Sequence, residues 1–398
     1  MSVNREVAVL GIGLHPYGVF PEKTYDDLLI YAVLEALKDA NVEWRDIQYA
    51  SGGCTPFHGL QGLVPCSVLA DQLGHTGIPM INCYTNCATG TAAFRDACNA
   101  VNSGKFDIAI ALAADKTMGG FYPLIGGQRK KDNYDWVRFE MVGMPNPAYW
   151  AMDATRRMVE YGTTEKDFAM VKVQCSQNGY DNPHARFRKV FTLEEVLNSP
   201  VVSYPLRLFE ICATSDAAAA VVLSSMDIAR TRTVRPITVA AASIGSSVYG
   251  DDTMRPFDVS TAVKSNSGLK VSESVQAIKM AYEESGIGPE DLDLVELPDN
   301  SSWHFFAYCE AIGLCRVGEA EQLLRSGDTA IGGRIPVCPS GGASSFGEAI
   351  PVQQLMEVYG IVQQLRGNAG RRQVINAKVG LAQTYGGQGN SGTIILKR

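Results

Sequence analysis

Two stretches of this sequence share one pattern: DIAIALAADKTMGG, Asp107 to Gly120, and VINAKVGLAQTYGG, Val374 to Gly387. Each joins an apolar run to a polar turn that ends in two glycines. A second pair shows the same relation, because ALKDANVEWRDI, Ala36 to Ile47, is echoed by AYEESGIGPEDL, Ala281 to Leu292. An amphipathic helix, a polar turn and an apolar strand in the same order twice predict two similar α/β halves packed together. Two such halves enclose one cleft.

Strands and helices alternate along the first half. Strands are predicted at Val7 to Leu10, Ile47 to Gly52, Pro79 to Cys83 and Asp107 to Ala113, and helices at Tyr25 to Ala40, at Pro65 to Leu73 and from Cys87 onward. This alternation favours a mostly parallel sheet that is covered on both faces. In such sheets the active site lies at the carboxyl ends of the strands.

The same pattern divides the chain into four segments. Residues 1–120 form the first half, and residues 121–243 have no counterpart later in the chain and are predicted to be an inserted loop domain. Residues 244–270 are expected to return to the first half, and residues 271–398 form the second half, with a strand at Asp293 to Leu297 and a long helix from about Ala349.

Composition limits the class of protein. Of the 398 residues 46% are hydrophobic and 19% charged, as in an ordinary globular protein. The sequence lacks an apolar run of the roughly 20 residues that a membrane helix needs, so we expect a cytoplasmic protein. A net charge of −7 argues against a dedicated nucleic-acid binder.

The cysteines and the glycine motifs exclude several cofactors. Ten cysteines are scattered among apolar or small residues, without the density of a disulfide scaffold or paired CxxC motifs, so we expect no zinc site within this chain. A GxxxxGK[ST] motif is absent, and GIGLHP stands where GxGxxG would follow the first strand. Nucleotide hydrolysis and dinucleotide redox chemistry are therefore unfavoured.

Cys87 is the first candidate for chemistry. In NCATGTAAFRDACNAV it follows a strand and opens a helix, where unpaired backbone N–H groups and the helix dipole favour a thiolate. The small residues that follow it allow a substrate or another backbone to come close. The alternative at this point is one more buried cysteine.

Several stretches resemble the thiolase superfamily. NCATGTAAF is similar to its nucleophile motif, GGQGNSGTIIL (Gly386 to Leu396) to its closing loop and strand, and Tyr161 to Leu223 to the insertion of its sterol-carrier-protein branch. PVCPSGGASSFGEA, Pro336 to Ala349, matches the loop that normally ends in Gly-His-Pro. The resemblance implies a thiolase fold, with two duplicated βαβαβαββ halves in a five-layered α-β-α-β-α arrangement and an inserted loop domain.

The chain departs from the family pattern at three places. Glu348 stands where the Gly-His-Pro loop has histidine, Pro298 to Ser301 replace His-Asp-Cys-Phe, and Thr384 replaces a second cysteine. Glu348 is then either the group that exchanges protons in a reaction with Cys87 as nucleophile, with a pKa raised by partial burial between the halves, or a solvated acid at a helix start. His304 is either an oxyanion donor or a packed histidine on a helix flank, and Asn300 is a candidate for orienting a water.

The resemblance also assigns binding groups. It implies that the N–H groups of Cys87 and Gly386 hold the thioester oxygen of an acyl-enzyme. It further implies that Arg186, Arg188 and Lys189 in the insertion meet the phosphates of coenzyme A, the co-substrate; the alternative is a solvated basic face. The related branch implies a homodimer and a separate small zinc-ribbon/OB-fold subunit, which would carry any zinc.

Three functions follow from these observations. The first is an acyltransferase of the thiolase type, which cleaves a 3-oxoacyl-CoA through a Cys87 acyl-enzyme. Eight aromatic residues near the expected cleft favour a bulky or aromatic acyl group, although they are equally consistent with core packing: Phe57, Tyr84, Phe121, Tyr122, Trp303, Phe305, Phe306 and Phe346. The second is a retro-aldol cleavage, as in the steroid side-chain aldolases of the superfamily, against which the retained Cys87 speaks. The third is a non-catalytic scaffold.

Overall fold

The computed structural model describes residues 5–55, 62–116, 145–232, 235–248, 272–386 and 389–398. Within these ranges none of the helices combines the length and the apolar character that crossing a bilayer requires. Several residues of interest lie outside the described ranges: Gly387 and Gln388 of the closing loop, the charged RKKD sequence at residues 129–132, and the aromatic candidates Phe57, Phe121 and Tyr122.

The first part of the chain alternates as predicted. It forms strands β1 (Val7–Leu14), β2 (Tyr49–Cys54), β3 (Met80–Asn82) and β4 (Ile108–Asp115), with helices α1 (Tyr25–Ala40), α2 (Pro65–Leu73) and α3 (Thr89–Asn102) between them. A capping box fixes the start of α1, because Thr24 Oγ1 accepts from the Asp27 N–H while the Asp27 carboxylate accepts from the Thr24 N–H. Asn41, in the left-handed region at φ 51°, ends this helix.

In the described part of the insertion, which starts at residue 145, the chain forms helices and one small hairpin. Its elements are α4 (Asn146–Tyr161), α5 (Glu165–Tyr180), α6 (Leu193–Leu197), β5 (Val201–Ser203) and β6 (Leu206–Arg207). The chain then continues through β7 (Ala217–Ser225), α7 (Met226–Arg232) and β8 (Ile237–Ser246).

The second half repeats the first with different connections. It comprises α8 (Ser272–Ser285), β9 (Leu294–Glu296), α9 (Ser302–Ile312), α10 (Ala320–Arg325), α11 (Gly342–Phe346), α12 (Gln353–Arg366), β10 (Val379–Tyr385) and β11 (Asn390–Lys397). A short 3₁₀ turn, Ile350–Val352, leads from the Glu348 loop into α12.

Strand pairing establishes the duplication. The hydrogen-bonded order is β3-β2-β4-β7-β1 in the first half and continues as β8-β11-β10-β9 in the second. β2 runs parallel to β4 as β9 does to β10, and β7 lies antiparallel between β4 and β1 as β11 does between β10 and β8. The third strand of the second half is reduced to a single parallel bridge between Val295 and Val337. The predicted fold class is confirmed.

The predicted segment boundaries need a correction. Residues 217–225, placed in the insertion, form β7 inside the sheet of the first half. Residues 237–246, divided between the insertion and the first half, form β8 and pair with β11 of the second half. The error arose because the alanine-rich β7 sequence carries little apolar periodicity, and its place in the sheet is set by tertiary pairing. Residues 249–270 lie outside the described part of the chain.

Helices from both halves share the middle of the molecule. α1 packs on β1 and β7 and forms one outer layer, and α8 packs on β8 and β11 and forms the opposite outer layer. Between the two sheet halves α3 and α12 contact each other and strands of both halves. The resulting layers are helix, sheet, paired central helices, sheet and helix. This arrangement places the start of α3 and the loop before α12 beside each other.

Candidate active site

A tight turn before α3 presents Cys87. Asn86 adopts the left-handed conformation at φ 52°, which asparagine tolerates better than most residues. Thr89, the first residue of α3, closes the turn: its Oγ1 donates to the Asn86 carbonyl at 2.6 Å and accepts from the Thr85 N–H at 2.9 Å. Cys87 therefore lies at the amino end of α3, as predicted, and its side chain is buried, at 2% exposure.

Glu348 meets the nucleophile candidate directly. The Cys87 Sγ donates to Glu348 Oε1 at 3.3 Å, across 261 residues of sequence, and the Glu348 side chain is buried as well. The chain thus pairs a thiol with a carboxylate at the junction of its two halves. Burial is the main cause that raises the pKa of Glu348, and hydrogen bonds from the Cys87 and Cys212 thiols partly oppose it.

The Glu348 loop is held by the segment that precedes β7. The Glu348 N–H donates to the Ala213 carbonyl at 2.6 Å, and the Ser215 N–H donates to the Glu348 carbonyl at 2.8 Å. Gly347 has φ 83°, and a Cβ built on it would lie 2.2 Å from Ser215 Oγ. Glycine is required at 347 for both reasons, because the left-handed conformation and the close approach exclude a side chain.

A second thiol lies on the same carboxylate. Cys212 Sγ donates to Glu348 Oε2 at 3.7 Å, and Asn300 Nδ2 donates to Cys212 Sγ at 3.7 Å. Gln353 Nε2 in turn donates to Asn300 Oδ1 at 3.2 Å. The structure therefore brings Asn300 into the site, as predicted, together with Cys212 and Gln353, which the sequence reasoning missed.

The place of Cys212 in the site follows from the sheet topology and not from a sequence motif. The register of β4 against β7 pairs Asp115 with Ala217, so the residues just before β7 lie at the carboxyl edge of β4. That is the edge at which parallel strands of this class place their active sites. Only the placement of β7 in the sheet reveals this, because nothing else distinguishes Cys212 from the other buried cysteines in the described chain.

His304 lies within the aromatic core next to the site. Its Nδ1 contacts Ser301 Oγ at 2.9 Å and accepts from the Ser301 N–H at 3.2 Å, so the ring caps α9. Burial lowers the pKa of His304 to about 3 and keeps the ring neutral. The surrounding rings belong to Trp150, Trp303, Tyr308 and Tyr385. These contacts are those of the packed histidine, and its catalytic role stays a prediction.

The terminal glycine turn lies against the nucleophile turn. A Cβ built on Gly386 would come within 2.9 Å of Ala88 Cβ, which confirms that Gly386 adjoins the residue after Cys87. Its N–H, however, donates to the Asn390 carbonyl at 2.8 Å and closes the hairpin of β10 and β11. The structure thus uses this N–H within the hairpin, and its part in an oxyanion site stays a prediction. Thr384 Oγ1 is buried and has no hydrogen-bond partner in the described residues.

The three basic residues of the insertion have separate surroundings. Arg186 is half-buried and donates through Nη1 to the Thr214 carbonyl and, at 3.1 Å, to Ser215 Oγ, so it supports the segment that holds Glu348. Arg188 and Lys189 are exposed, and Lys189 Nζ forms an ion pair with Glu195 at 2.8 Å. Their contact with coenzyme A stays a prediction.

Most of the described aromatic candidates belong to the core. Four of them, Trp303, Phe305, Phe306 and Phe346, are at most 6% exposed and pack within the hydrophobic clusters. Tyr84 is 39% exposed, and its hydroxyl donates to Asn86 Oδ1 at 2.9 Å in the nucleophile turn. Among the described candidates, therefore, only Tyr84 is both accessible and next to Cys87.

The chemistry open to this cluster is proton transfer and acylation. Glu348 accepts from both thiols, and its raised pKa makes the carboxylate a stronger base than an exposed one. The described ranges contain no group of three or more His, Cys, Asp or Glu side chains that could hold a metal ion. Two duplicated halves in five layers, with a buried thiol where the central helix of the first half begins, define the thiolase fold.

Comparisons with known proteins agree with this class. Residues 259–398 match the family model "Thiolase C-terminal domain-like". The chain is 33% identical over 392 residues to the acetyl-CoA acetyltransferase of Methanothermobacter thermautotrophicus, which covers 98% of both proteins. It is also 33% identical to the benzoylsuccinyl-CoA thiolase subunit BbsB of Thauera aromatica, over 92% of this chain and 90% of that one. This chain therefore belongs to the thiolase superfamily, and the two relatives just described carry the names of acyltransferases.

A solved structure shows the same fold. The Ltp2-ChsH2(DUF35) aldolase superimposes with a TM-score of 0.83 at 24% identity, over 99% of this chain and 98% of that chain. At this identity the match shows that the two chains share a fold.

Proposed function

We propose that this chain catalyses thiolytic cleavage of a 3-oxoacyl-CoA through an acyl-enzyme on Cys87. The observation that supports it is the contact of 3.3 Å between Cys87 Sγ and Glu348 Oε1, buried at the junction of the two halves. A thiol becomes a nucleophile when an adjacent base takes its proton. Glu348 is that base in this proposal.

The reaction has two stages. Cys87 gives its proton to Glu348, and the thiolate attacks the 3-oxo carbon of the substrate. The C2–C3 bond breaks, the acyl group stays on Cys87, and the other fragment departs as a CoA-thioester enolate that takes up a proton. Coenzyme A then attacks the acyl-enzyme and releases the second thioester, while Cys87 recovers its proton from Glu348.

The substrate that we propose carries a bulky, aromatic acyl group. Benzoylsuccinyl-CoA and CoA would give benzoyl-CoA and succinyl-CoA. Support comes from the 33% identity to BbsB of Thauera aromatica and from the exposed Tyr84 ring beside the nucleophile turn. The acetyl-CoA acetyltransferase relative is equally identical, so an acetoacetyl substrate belongs in the same assay.

We further propose a homodimer that works with a small zinc-ribbon/OB-fold subunit in the cytoplasm. Support for the subunit comes from the DUF35 component of the aldolase with the same fold. Any zinc would then reside on that second protein. Coenzyme A phosphates would meet the exposed Arg188 and Lys189 of the insertion, and Arg186 would position the segment under Glu348.

Intact-mass measurement tests the acyl-enzyme. The protein, purified with any subunit that accompanies it, is mixed with benzoylsuccinyl-CoA or acetoacetyl-CoA in the absence of free CoA. We expect a mass increase of one acyl group, which added CoA removes. Cys87→Ala should abolish both the adduct and turnover, because the attacking sulfur is gone, whereas the control Cys98→Ala, on the far turn of α3, should retain both.

Other outcomes would support the alternatives. An aldehyde or ketone released from a 3-hydroxyacyl-CoA, without an adduct and without dependence on Cys87, would indicate a retro-aldol enzyme. Neither adduct nor turnover from the complete complex would indicate a scaffold subunit. An adduct with acetoacetyl-CoA alone would keep the thiolase reaction and reject the aromatic substrate.

A further inference from the structure

A second thiol in the site has no assigned task. Cys212 is 4% exposed, and its N–H donates to the Asn300 carbonyl at 2.9 Å, so the backbone fixes its position. Its Sγ contacts Glu348 Oε2 at 3.7 Å while Cys87 Sγ contacts Glu348 Oε1. Two thiols therefore share one carboxylate, one on each oxygen.

The proposed reaction leaves one proton transfer without a donor. The enolate that departs after C2–C3 cleavage must be protonated at carbon. Glu348 Oε1 faces Cys87 and receives the proton of that thiol, and His304 is a neutral ring whose Nδ1 is engaged with Ser301. Thr384 offers a hydroxyl, which is a much weaker acid than a thiol.

We propose that Cys212 is the catalytic acid and base of the carbon centre, an assignment that rests on the proposed thiolytic reaction. The Cys212 S–H bond breaks as a C–H bond forms at C2 of the enolate, which leaves a Cys212 thiolate. In the second stage coenzyme A gives its thiol proton to that thiolate and attacks the acyl-Cys87 carbonyl. Cys87 leaves as a thiolate and takes its proton back from Glu348. Each protein group thus recovers its starting protonation state, and the net result is transfer of the coenzyme A thiol proton to C2 by way of Cys212.

The surroundings of Cys212 suit this task. Two causes raise the pKa of the Cys212 thiol: its burial, which is the larger, and the nearby Glu348 carboxylate. The thiol therefore carries its proton when the enolate forms. Asn300 Nδ2 donates to Cys212 Sγ, which stabilises the thiolate that results. Transfer of the Cys87 proton to Glu348 removes the nearby negative charge in the same stage.

Two acylation reactions can distinguish an acid-base role of Cys212 from a purely structural role. Acylation of Cys87 by 4-nitrophenyl acetate needs the nucleophile and Glu348, but no proton donor for the leaving group. Acylation by a 3-oxoacyl-CoA needs both and, in addition, protonation of the enolate. We expect Cys212→Ser and Cys212→Ala to change the rate of acylation by 4-nitrophenyl acetate by no more than about threefold. The rate of acylation by a 3-oxoacyl-CoA should fall by about 100-fold or more, which is the usual range for a positioned acid.

Serine makes the test specific for acidity. It keeps the approximate volume and a hydrogen bond to Glu348 while raising the acid's pKa, so a loss shared by Cys212→Ser and Cys212→Ala cannot come from packing alone. Cys98→Ala removes another buried cysteine of the described chain and should leave both rates unchanged. All variants are purified together with any accompanying subunit.

Three results would overturn the assignment. Cleavage retained within threefold in Cys212→Ala would show that the thiol is dispensable. Equal loss of both acylations would give Cys212 a positioning role toward Cys87 or the fold. If 4-nitrophenyl acetate acylated the wild-type protein but no 3-oxoacyl-CoA did, both the proposed function and this assignment would be wrong. This result differs from the first two because it is seen in the wild-type protein.

Discussion

Glu348 serves a buried thiol differently from an imidazole. A carboxylate offers two acceptor oxygens, and here one faces Cys87 while the other faces Cys212. An imidazole has one acceptor nitrogen in its neutral form and could not receive both thiols. In this chain Glu348 and Cys212 are in direct contact, and together with Cys87 they form one hydrogen-bonded unit.

Activity should depend on the ionisation of Glu348. Burial raises the pKa of Glu348, so the base becomes protonated at a higher pH than an exposed glutamate would. We expect kcat/KM to fall as pH decreases through this raised pKa, about tenfold per pH unit below it. Glu348→Gln should lower kcat/KM at neutral pH by about 100-fold or more and remove this acidic limb, which a pH profile of the two proteins measures.

The exposed Glu283, on α8, provides the control for this substitution. Glu283→Gln should reproduce the wild-type profile. If Glu348→Gln kept the wild-type acidic limb, the limb would belong to another group and Glu348 would not be the base.

Sequence could identify some of these residues and not others. Cys87 and Glu348 lie in local motifs whose order along the chain matches a known family, so they were found without a structure. Cys212 reaches the site only through the register of β4 against β7. Similarly, the basic sequence RFRK at residues 186–189 does not distinguish the half-buried Arg186 from the exposed Arg188, because the burial of Arg186 depends on its packing against residues 213–215.

The start of helix α1 was easier to predict than the end of strand β1. α1 begins at Tyr25 as predicted because the Thr24–Asp27 capping box is local. β1 was predicted to end at Leu10 but continues to Leu14. The next residues include Gly11 and Gly13, where an added Cβ would lie 2.3 Å and 2.0 Å from carbonyl oxygens of α1. These glycines allow α1 to pack closely on the strand, and a glycine pattern alone does not distinguish that from a turn.

A buried ion cluster joins the insertion to the second half. Arg157 of α4 donates to Glu310 of α9 at 2.5 Å and 3.0 Å and to Glu321 of α10 at 2.6 Å and 2.9 Å. All three side chains are at most 5% exposed. Thr163 Oγ1 also donates to Glu321. The cluster fixes α4 against the two helices that follow the Asn300 loop.

Removing the arginine of this ion cluster should lower the stability of the fold. Arg157→Leu leaves two buried carboxylates without their partner, and we expect it to lower the free energy of unfolding by about 3–5 kcal/mol. The neighbouring Arg156 pairs with Glu160 at a partly exposed position, so Arg156→Leu should cost less than about 1 kcal/mol. Urea denaturation of the two variants measures the difference. Equal costs would mean that the cluster is not what holds α4 in place.

The candidate active site forms only where the two halves of the chain meet. Each half contributes one part: the first supplies Cys87 at the start of α3, and the second supplies Glu348 before α12. Thr91 lies where these parts meet, because its Oγ1 donates to Gln354 Oε1 of α12 at 2.8 Å while the residue faces Gly392 of β11. The duplication predicted two halves, but only the structure shows which side chains set their spacing.

Gly392 should therefore control the distance between the halves. A Cβ added there would lie 2.1 Å from Thr91 Oγ1 and 2.6 Å from Thr91 Cβ, so α3 must shift away from β11. We expect Gly392→Ala to cost about 3 kcal/mol of unfolding free energy, at the upper end of overpacking effects, and to reduce activity because Cys87 moves with α3. All three nearest atoms belong to Thr91, so the double variant Thr91→Gly/Gly392→Ala should be more stable than Gly392→Ala alone, although glycine in α3 carries its own cost of about 1 kcal/mol. Thermal or urea unfolding of the four proteins gives the coupling energy, and purely additive effects would show that the spacing of the halves is set elsewhere.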